Sequence, residues 1–168
     1  TWAGPLIEKI PLLEEMHKKA ALAKKELANE QVISHRDMDP KNVLWQNGDP
    51  LLIDWEAAGY VNPWQELMEN LFYWADDGKG GLQKDHFQAL VKAYGKECSL
   101  AGAPWDKALE GSVLGVLEWL HYNACRAWGT DAADEGEKAL GRQQAALTLE
   151  QLGTWEEKKK NALAWLKE

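Results

Sequence analysis

The spacing of hydrophobic positions changes twice along this chain. Between residues 11 and 29 the apolar residues recur at alternating intervals of three and four, with lysines and glutamates between them. This pattern predicts an amphipathic helix over 11–29, with Pro11 in its first turn. Residues 31–54 contain only short β-prone runs, and everything after Val61 returns to a helical pattern.

The β-prone runs predict a small hairpin. Residues 43–45 and 51–53 are apolar and too short for helices, and Asn47-Gly48 between them is a strong hairpin signal. A third run, 32–34, precedes a polar loop that extends to Asn42. Region 31–54 is therefore expected to form short strands joined by a polar loop and a tight turn.

The second half of the chain predicts a helical subdomain over 62–168. Asn62 can cap a helix and Pro63 can occupy its first position. The predicted helices are 63–75, 83–98, 105–128, 134–152 and 154–166. We therefore expect a single domain, 1–168, that is mainly α with a small β-hairpin region, an α+β fold.

Composition narrows the classes of function. The net charge of -8 disfavours nucleic acid as a partner, since phosphate backbones are bound by basic patches. No apolar run approaches the roughly 20 residues of a membrane span, and the N-terminus has no signal peptide. Cys98 and Cys125 lie far apart, as expected of reduced thiols in a cytoplasmic protein. The start at Thr1, without Met, suggests that the chain begins partway through a longer gene product, although removal of a tag would look the same.

Candidate chemistry is concentrated in the polar loop and at the end of the hairpin. Pairing of 43–45 with 51–53 would place Asn42 and Asp54 at the same end of the hairpin. An amide oxygen and a carboxylate are ligands that Mg²⁺ accepts beside phosphates and water. Asp37 lies on the same loop, where it could accept or orient the proton of a hydroxyl nucleophile. In-line phosphoryl transfer needs such a set.

The spacing His35-x-Asp37-x4-Asn42, followed by a hairpin that ends in Asp54, resembles the catalytic loop and metal-binding Asp of the protein-kinase-like fold. Only eight residues separate Asp54 from Pro63, which leaves no room for a peptide-docking activation segment. The stretch 53–59, then Pro63 and Glu66-Leu67, instead resembles the aminoglycoside phosphotransferase and choline kinase family. That family more often has Asp where Glu66 stands and commonly has Gly where Arg36 stands.

The resemblance implies a fold and a set of roles. The chain would be the C-terminal lobe of a kinase-like enzyme, with the N-terminal nucleotide lobe absent, and its helical half would form the acceptor pocket. Asp37 would be the catalytic base, Asn42 and Asp54 would bind Mg²⁺ and through it ATP, and His35 would brace the loop. The acceptor would be a hydroxyl of a small molecule, aminoglycoside-like or choline-like. The isolated chain should then turn over ATP negligibly.

Two other functions compete with a small-molecule kinase. The first is a non-catalytic kinase-like module that binds a ligand or a partner, which loss of the Asp37, Asn42 and Asp54 set would favour. The second is metal-dependent phosphate hydrolysis with His35, Asp37 and Asp39 as a transition-metal cluster. Asp39 could equally stabilise the loop before Pro40. Four further acidic residues could face a cationic acceptor, which the acidic balance would favour, or could be solvated surface charges: Glu69, Asp76, Asp77 and Glu118.

Overall fold

The computed structural model describes residues 2–168, which form six α-helices and two small antiparallel sheets. The helices are α1 (Gly4–Leu27), α2 (Pro63–Trp74), α3 (Lys84–Glu97), α4 (Trp105–Trp128), α5 (Glu135–Gly153) and α6 (Trp155–Trp165). The strands are β1 (Val32–Ser34), β2 (Val43–Gln46), β3 (Asp49–Leu52) and β4 (Gly59–Val61). The predicted mainly helical α+β fold is confirmed. None of these helices combines the length and the apolarity that crossing a membrane needs.

Helix α1 is longer than the predicted helix 11–29. It begins at Gly4, because Pro5 already lies in its first turn, where the missing amide hydrogen costs nothing. Pro11 therefore lies inside the helix rather than at its start. The helix ends at Leu27, two residues before the predicted end, and packs its buried face against α4.

Helix α4 is the centre of the helical subdomain. Helices α1, α2, α5 and α6 all contact it, and its apolar side chains form much of the core. Helix α5 approaches α4 closely at Gly141, where an added Cβ would lie 2.6 Å from the amide nitrogen of Ala127. The glycine is required there because two helix backbones come together without room for a side chain.

The strands form two separate pairs. Strands β2 and β3 make the predicted hairpin, but 43–46 pair with 49–52, one residue before the predicted partners 51–53. The two-residue turn sets this register, and Asn47 and Gly48 in it both have positive φ, as such a turn requires. Strand β1 pairs with β4 in an antiparallel register. The sequence pattern does not predict β4, because three residues are too few to show a period of two.

Asn62 joins the end of α1 to the start of α2. Its Oδ1 accepts hydrogen bonds from the backbone N–H groups of Trp64 and Gln65, which confirms the predicted cap. Its Nδ2 donates to the carbonyl oxygens of Leu27 and Glu30, at 3.0 and 2.9 Å. The orientation of α2, which lies beneath the polar loop, is thus tied to α1.

We expect Gly141→Ala to destabilise the fold by about 1–3 kcal/mol, because the new methyl group overpacks the contact with the α4 backbone. Gly115→Ala is the matched control: it lies inside α4 with no heavy atom within 4 Å of the added Cβ. That variant should gain roughly 0.5–1 kcal/mol from its better helix propensity. Urea denaturation of the two variants measures both changes, and equal stabilities would contradict the close packing at Gly141.

Candidate active site

The polar loop that carries the candidate residues runs from the end of β1 at Ser34 to Asn42. Its last three residues, Pro40–Asn42, form a turn of 3-10 helix that leads directly into β2. The carboxylate of Asp39 caps this turn by accepting a hydrogen bond from the backbone N–H of Lys41 at 2.9 Å. Of the two roles open for Asp39, the structure therefore shows loop stabilisation.

His35 connects the loop to the end of the hairpin. Its side chain is buried, with Nε2 2.7 Å from the carbonyl oxygen of Ile53. Its Nδ1 accepts a hydrogen bond from the backbone N–H of Asp37 at 3.3 Å. A neutral imidazole with its proton on Nε2 satisfies both contacts. The prediction that His35 braces the loop is confirmed.

Asn42 orients the carboxylate of Asp37. Its Nδ2 donates to Asp37 Oδ2 at 2.8 Å and to the carbonyl oxygen of Asp37 at 2.9 Å. Asn42 is itself buried, so the amide is held in place by its surroundings. These contacts use the nitrogen of the amide and leave its Oδ1 without a hydrogen-bond partner in residues 2–168.

Asp54 lies two residues beyond the end of β3. The backbone N–H of Ile53 donates to the carbonyl oxygen of Asn42 at 3.0 Å, so Asp54 and Asn42 emerge at the same end, as predicted. Asp54 has φ 64° and ψ 58°, the left-handed region that non-glycine residues rarely adopt. This conformation costs on the order of 1–3 kcal/mol. Its carboxylate makes no capping hydrogen bond to the turn that follows.

Helix α2 supports the loop from the opposite side to the hairpin. The Oε1 of Glu66 accepts a hydrogen bond from the backbone N–H of Arg36 at 3.0 Å. The indole nitrogen of Trp74 donates to the carbonyl oxygen of Met38 at 2.7 Å. The two contacts hold the backbone on each side of Asp37. The sequence marks Glu66 only as a motif position and does not single out Trp74. A carboxylate among the apolar residues of the predicted helix 63–75 is the one sign that Glu66 needs a buried partner.

A large apolar cavity of about 860 Å³ lies on one side of the loop. It is bounded by one face of the hairpin and by helices α2 and α3, and His35 and Met38 of the loop reach it. The hairpin contributes Val43, Trp45, Pro50 and Leu52. Asp37, Asn42 and Asp54 do not line this cavity, so its size alone does not make it the place of the chemistry.

Arg36 faces a different, polar space, which we call the α2–α4 trough. Two adjoining cavities of about 190 and 210 Å³ form it, and they share Arg36, Glu69 and Gly115. One cavity also reaches Glu118, and the other reaches Tyr73 and Asp76. Three of the four acidic residues left open by the sequence thus line this trough, whereas Asp77 hydrogen-bonds the backbone of its own loop.

The carboxyl of Glu69 is unusual in its protonation. Burial, and to a smaller extent the charge of Glu66, raises its pKa to about 7, although a hydrogen bond from Gln65 opposes the shift. Burial also raises the pKa of the Tyr73 phenol, and the carboxylates of Glu69, Asp37 and Asp39 raise it further. Tyr73 therefore lies within electrostatic reach of both the trough and the polar loop.

The three predicted site residues are brought together by the loop and the hairpin. Asn42 contacts Asp37 directly, and Asp54 emerges beside Asn42. The unpartnered amide oxygen of Asn42 and the uncapped carboxylate of Asp54 fit the hard oxygen donors that Mg²⁺ takes alongside phosphate and water. They are two donors, and residues 2–168 contain no group of three or more His, Cys, Asp or Glu side chains placed to hold a metal.

The transition-metal alternative gains no support from the geometry. Both ring nitrogens of His35 contact the backbone, and Asp39 caps the turn that follows it. A hydrolase site of this kind would need imidazole nitrogens directed at the metal. The absence of a three-residue cluster in the described part of the chain agrees with this.

Comparison with protein families gives one match. The family model APH, described as "Phosphotransferase enzyme family", matches residues 4–100. The matched segment runs from the start of α1 to just past α3, and it includes the whole polar loop and the hairpin. No curated protein and no solved structure matches the chain.

We expect Glu66→Ala to make the backbone of the polar loop more mobile, because it removes the only side-chain acceptor of the Arg36 amide within residues 2–168. The contact is only partly buried, so its loss should cost about 1 kcal/mol. Hydrogen exchange of the Arg36 amide should accelerate in this variant. Glu66→Gln keeps an oxygen at the same place and should retain the protection. If both variants exchange at the wild-type rate, Glu66 does not support the loop.

Proposed function

This chain belongs to the phosphotransferase enzyme family, and we propose that it carries the catalytic base and the Mg²⁺ ligands of an ATP-dependent kinase that phosphorylates a hydroxyl of a small molecule. The observation that carries the proposal is the hydrogen bond between Asn42 Nδ2 and Asp37 Oδ2. It fixes a proton acceptor beside an amide oxygen that is available to a metal. Phosphoryl transfer depends chiefly on such positioning.

Asp37 is proposed to receive the proton of the acceptor hydroxyl. One of its carboxylate oxygens is held by Asn42, and its backbone is held by His35. The remaining carboxylate oxygen is thus directed by the loop rather than by solvent. A general base contributes by being within hydrogen-bond reach of the proton it accepts, and these contacts restrict where that oxygen lies.

Asn42 Oδ1 and the Asp54 carboxylate are the proposed Mg²⁺ ligands. When bound, Mg·ATP supplies the phosphoryl group and neutralises the charge on the phosphate oxygens. The protein contributes a rigid amide, fixed by two hydrogen bonds, and a carboxylate held in a left-handed backbone conformation. Backbone strain retained at such a position agrees with a functional role for Asp54.

The acceptor is proposed to be a hydroxyl-bearing small molecule, for which aminoglycosides and choline-like amines are the first candidates. The α2–α4 trough adjoins the loop at Arg36, the residue before Asp37. The carboxylates of Glu69 and Glu118 line it, but so do Arg36, Lys24 and the ion pair between Lys158 and Asp76. The trough is thus of mixed charge, so the panel of acceptors should include neutral and anionic molecules.

The nucleotide lobe that the resemblance implies is proposed to come from sequence outside this chain. Within residues 2–168 both sheets are two-stranded, and none of the loops described is a glycine-rich strand connection. We therefore expect activity from the complete gene product and negligible turnover from residues 1–168 alone. Robust turnover by the isolated chain would contradict this division.

We expect Asp37→Asn in the complete gene product to lower acceptor-stimulated ADP release roughly 10²–10⁴-fold, as expected for loss of a general base. Asp39→Asn is the matched control. It removes a carboxylate from the same loop but keeps an oxygen that can cap the Lys41 amide, so its rate should remain within a few-fold of wild type. Asp54→Asn should raise the Mg²⁺ concentration that gives half-maximal rate.

Three outcomes of this experiment would count against the kinase. Equal losses in the Asp37→Asn and Asp39→Asn variants would assign the effect to the fold of the loop. Binding of Mg·ATP without stimulation by any acceptor would favour the non-catalytic binding module. Absence of nucleotide binding in the complete gene product would contradict both the ATP and the Mg²⁺ assignments.

A further inference from the structure

Arg36 is placed in the α2–α4 trough by three features of the fold. Its backbone amide is held by Glu66, and its φ of 66° turns the residue away from the course of the strand before it. Its side chain passes over Gly59, where an added Cβ would lie 3.2 Å from Nη1 and 3.6 Å from Cδ. The guanidinium therefore packs against Gly59 and reaches the junction of the two cavities.

The guanidinium of Arg36 is not neutralised by an ion pair within residues 2–168. The chain has three arginines, and the other two have carboxylate partners: Arg126 pairs with Glu137, and Arg142 lies 3.9 Å from Glu135. No carboxylate comes within 4 Å of the Arg36 nitrogens, and none of its side-chain nitrogens donates a hydrogen bond in the described part of the chain. A planar five-donor group at a cavity junction is well suited to a carboxylate or a phosphate.

Glu69 is the acidic residue that shares both cavities with Arg36. Its raised pKa, about 7, means that a substantial fraction of this carboxyl is neutral at neutral pH. Its Oε1 is already engaged by Gln65. In the neutral state the group does not compete for the guanidinium and can itself donate a hydrogen bond to an anion.

Charged groups reach Glu69 from every element around the trough. The catalytic loop contributes Arg36, α1 contributes Lys24, and α4 contributes Glu118. On its own helix Glu66 and Tyr73 are near, and the far end of the trough holds Asp76 and Lys158, 3.0 Å apart. Lys158 and Asp76 neutralise each other, and Lys24 lies at the exposed rim. Arg36, although itself exposed, is the cation that lines both cavities and has no carboxylate within 4 Å in the described residues.

We propose that the α2–α4 trough takes an acceptor that carries an oxyanion, a carboxylate or a phosphate, and that Arg36 is the residue that binds this group. The identification of the ligand as the acceptor rests on the proposed kinase function. Asp37 does not line the trough, but its carboxylate and that of Glu69 both act on the Tyr73 phenol, so the trough lies close enough to Asp37 for one compact molecule to reach both. A short hydroxy acid or a phosphorylated polyol has this chemistry, whereas the aminoglycosides and choline-like amines named as first candidates above carry no oxyanion.

Anion binding at Arg36 is linked to the protonation of Glu69. An anion beside Glu69 favours its neutral form, so binding takes up a proton and tightens as the pH falls through about 7. For one linked group of that pKa, the affinity should increase about tenfold from pH 8 to pH 6. A carboxylate probe stays ionised over this range, whereas a phosphate itself titrates near pH 6. Glu69→Gln, which is neutral at every pH and keeps the oxygen that accepts from Gln65, should therefore bind the carboxylate with a pH-independent affinity.

The experiment follows the ¹³Cζ signals of the three arginines by NMR while probes are added to residues 1–168 at constant ionic strength. The probes are 3-hydroxybutyrate and glycerol 3-phosphate, with 3-hydroxybutyramide as the neutral match and ethanolamine as the cationic one. We expect saturable shifts of Arg36 with the anions alone, and the two anionic arms distinguish carboxylate from phosphate. Arg126 and Arg142 should stay unchanged, and Arg36→Gln should remove anion-induced shifts of the Gly115 amide.

Several results would overturn the proposal. Parallel shifts of all three arginines would indicate non-specific ion binding, and a response to ethanolamine but to neither anion would indicate an amine site. Gly115 shifts that survive in Arg36→Gln would place the anion elsewhere, and a pH dependence of 3-hydroxybutyrate binding that survives in Glu69→Gln would exclude Glu69. None of these measurements requires ATP or turnover, so a failure of oxyanion binding can be distinguished from a failure of kinase activity.

Discussion

The imidazole of His35 sets the geometry on which the candidate site depends. It is the one side chain of residues 2–168 that contacts both the backbone of Asp37 and the end of the hairpin next to Asp54. Without it, the proton acceptor and the metal-ligand candidates would belong to two segments joined only through Asn42. Both ring nitrogens are occupied by backbone contacts, so the imidazole supports the loop. Its buried position beside Trp55 keeps water from competing for these contacts.

The loop is held between two supports of different kinds. The hairpin side acts through His35 and Asn42, which contact side-chain and backbone atoms of Asp37. The α2 side acts through Glu66 and Trp74, which contact backbone atoms alone. Consecutive residues of the loop consequently face opposite spaces, His35 the apolar cavity and Arg36 the polar trough. A single short segment thus separates an apolar compartment from a charged one.

Local patterns explain why the hairpin and its consequences could be predicted. Asn47-Gly48 supplies two residues that tolerate positive φ, the register follows, and the proximity of Asn42 and Asp54 follows from the register. The contact of Glu66 with the Arg36 amide could not be predicted in this way. It joins residues thirty positions apart and depends on how α2 is placed, and Asn62 ties the start of α2 to the carbonyls of Leu27 and Glu30. The trough is likewise a product of helix packing, since its lining includes residues of α1, α2, α4, α5 and α6.

The left-handed backbone of Arg36 separates the requirements of folding from those of function at one position. A glycine would adopt φ 66° without the steric cost of about 1 kcal/mol or more that a Cβ incurs. The Glu66 contact uses the backbone amide and would remain. Selection of random variants for thermal resistance alone should therefore enrich glycine at residue 36, whereas selection for growth that depends on the enzyme should retain arginine. The ratio of the two enrichments would measure how much the guanidinium of Arg36 contributes to the selected function.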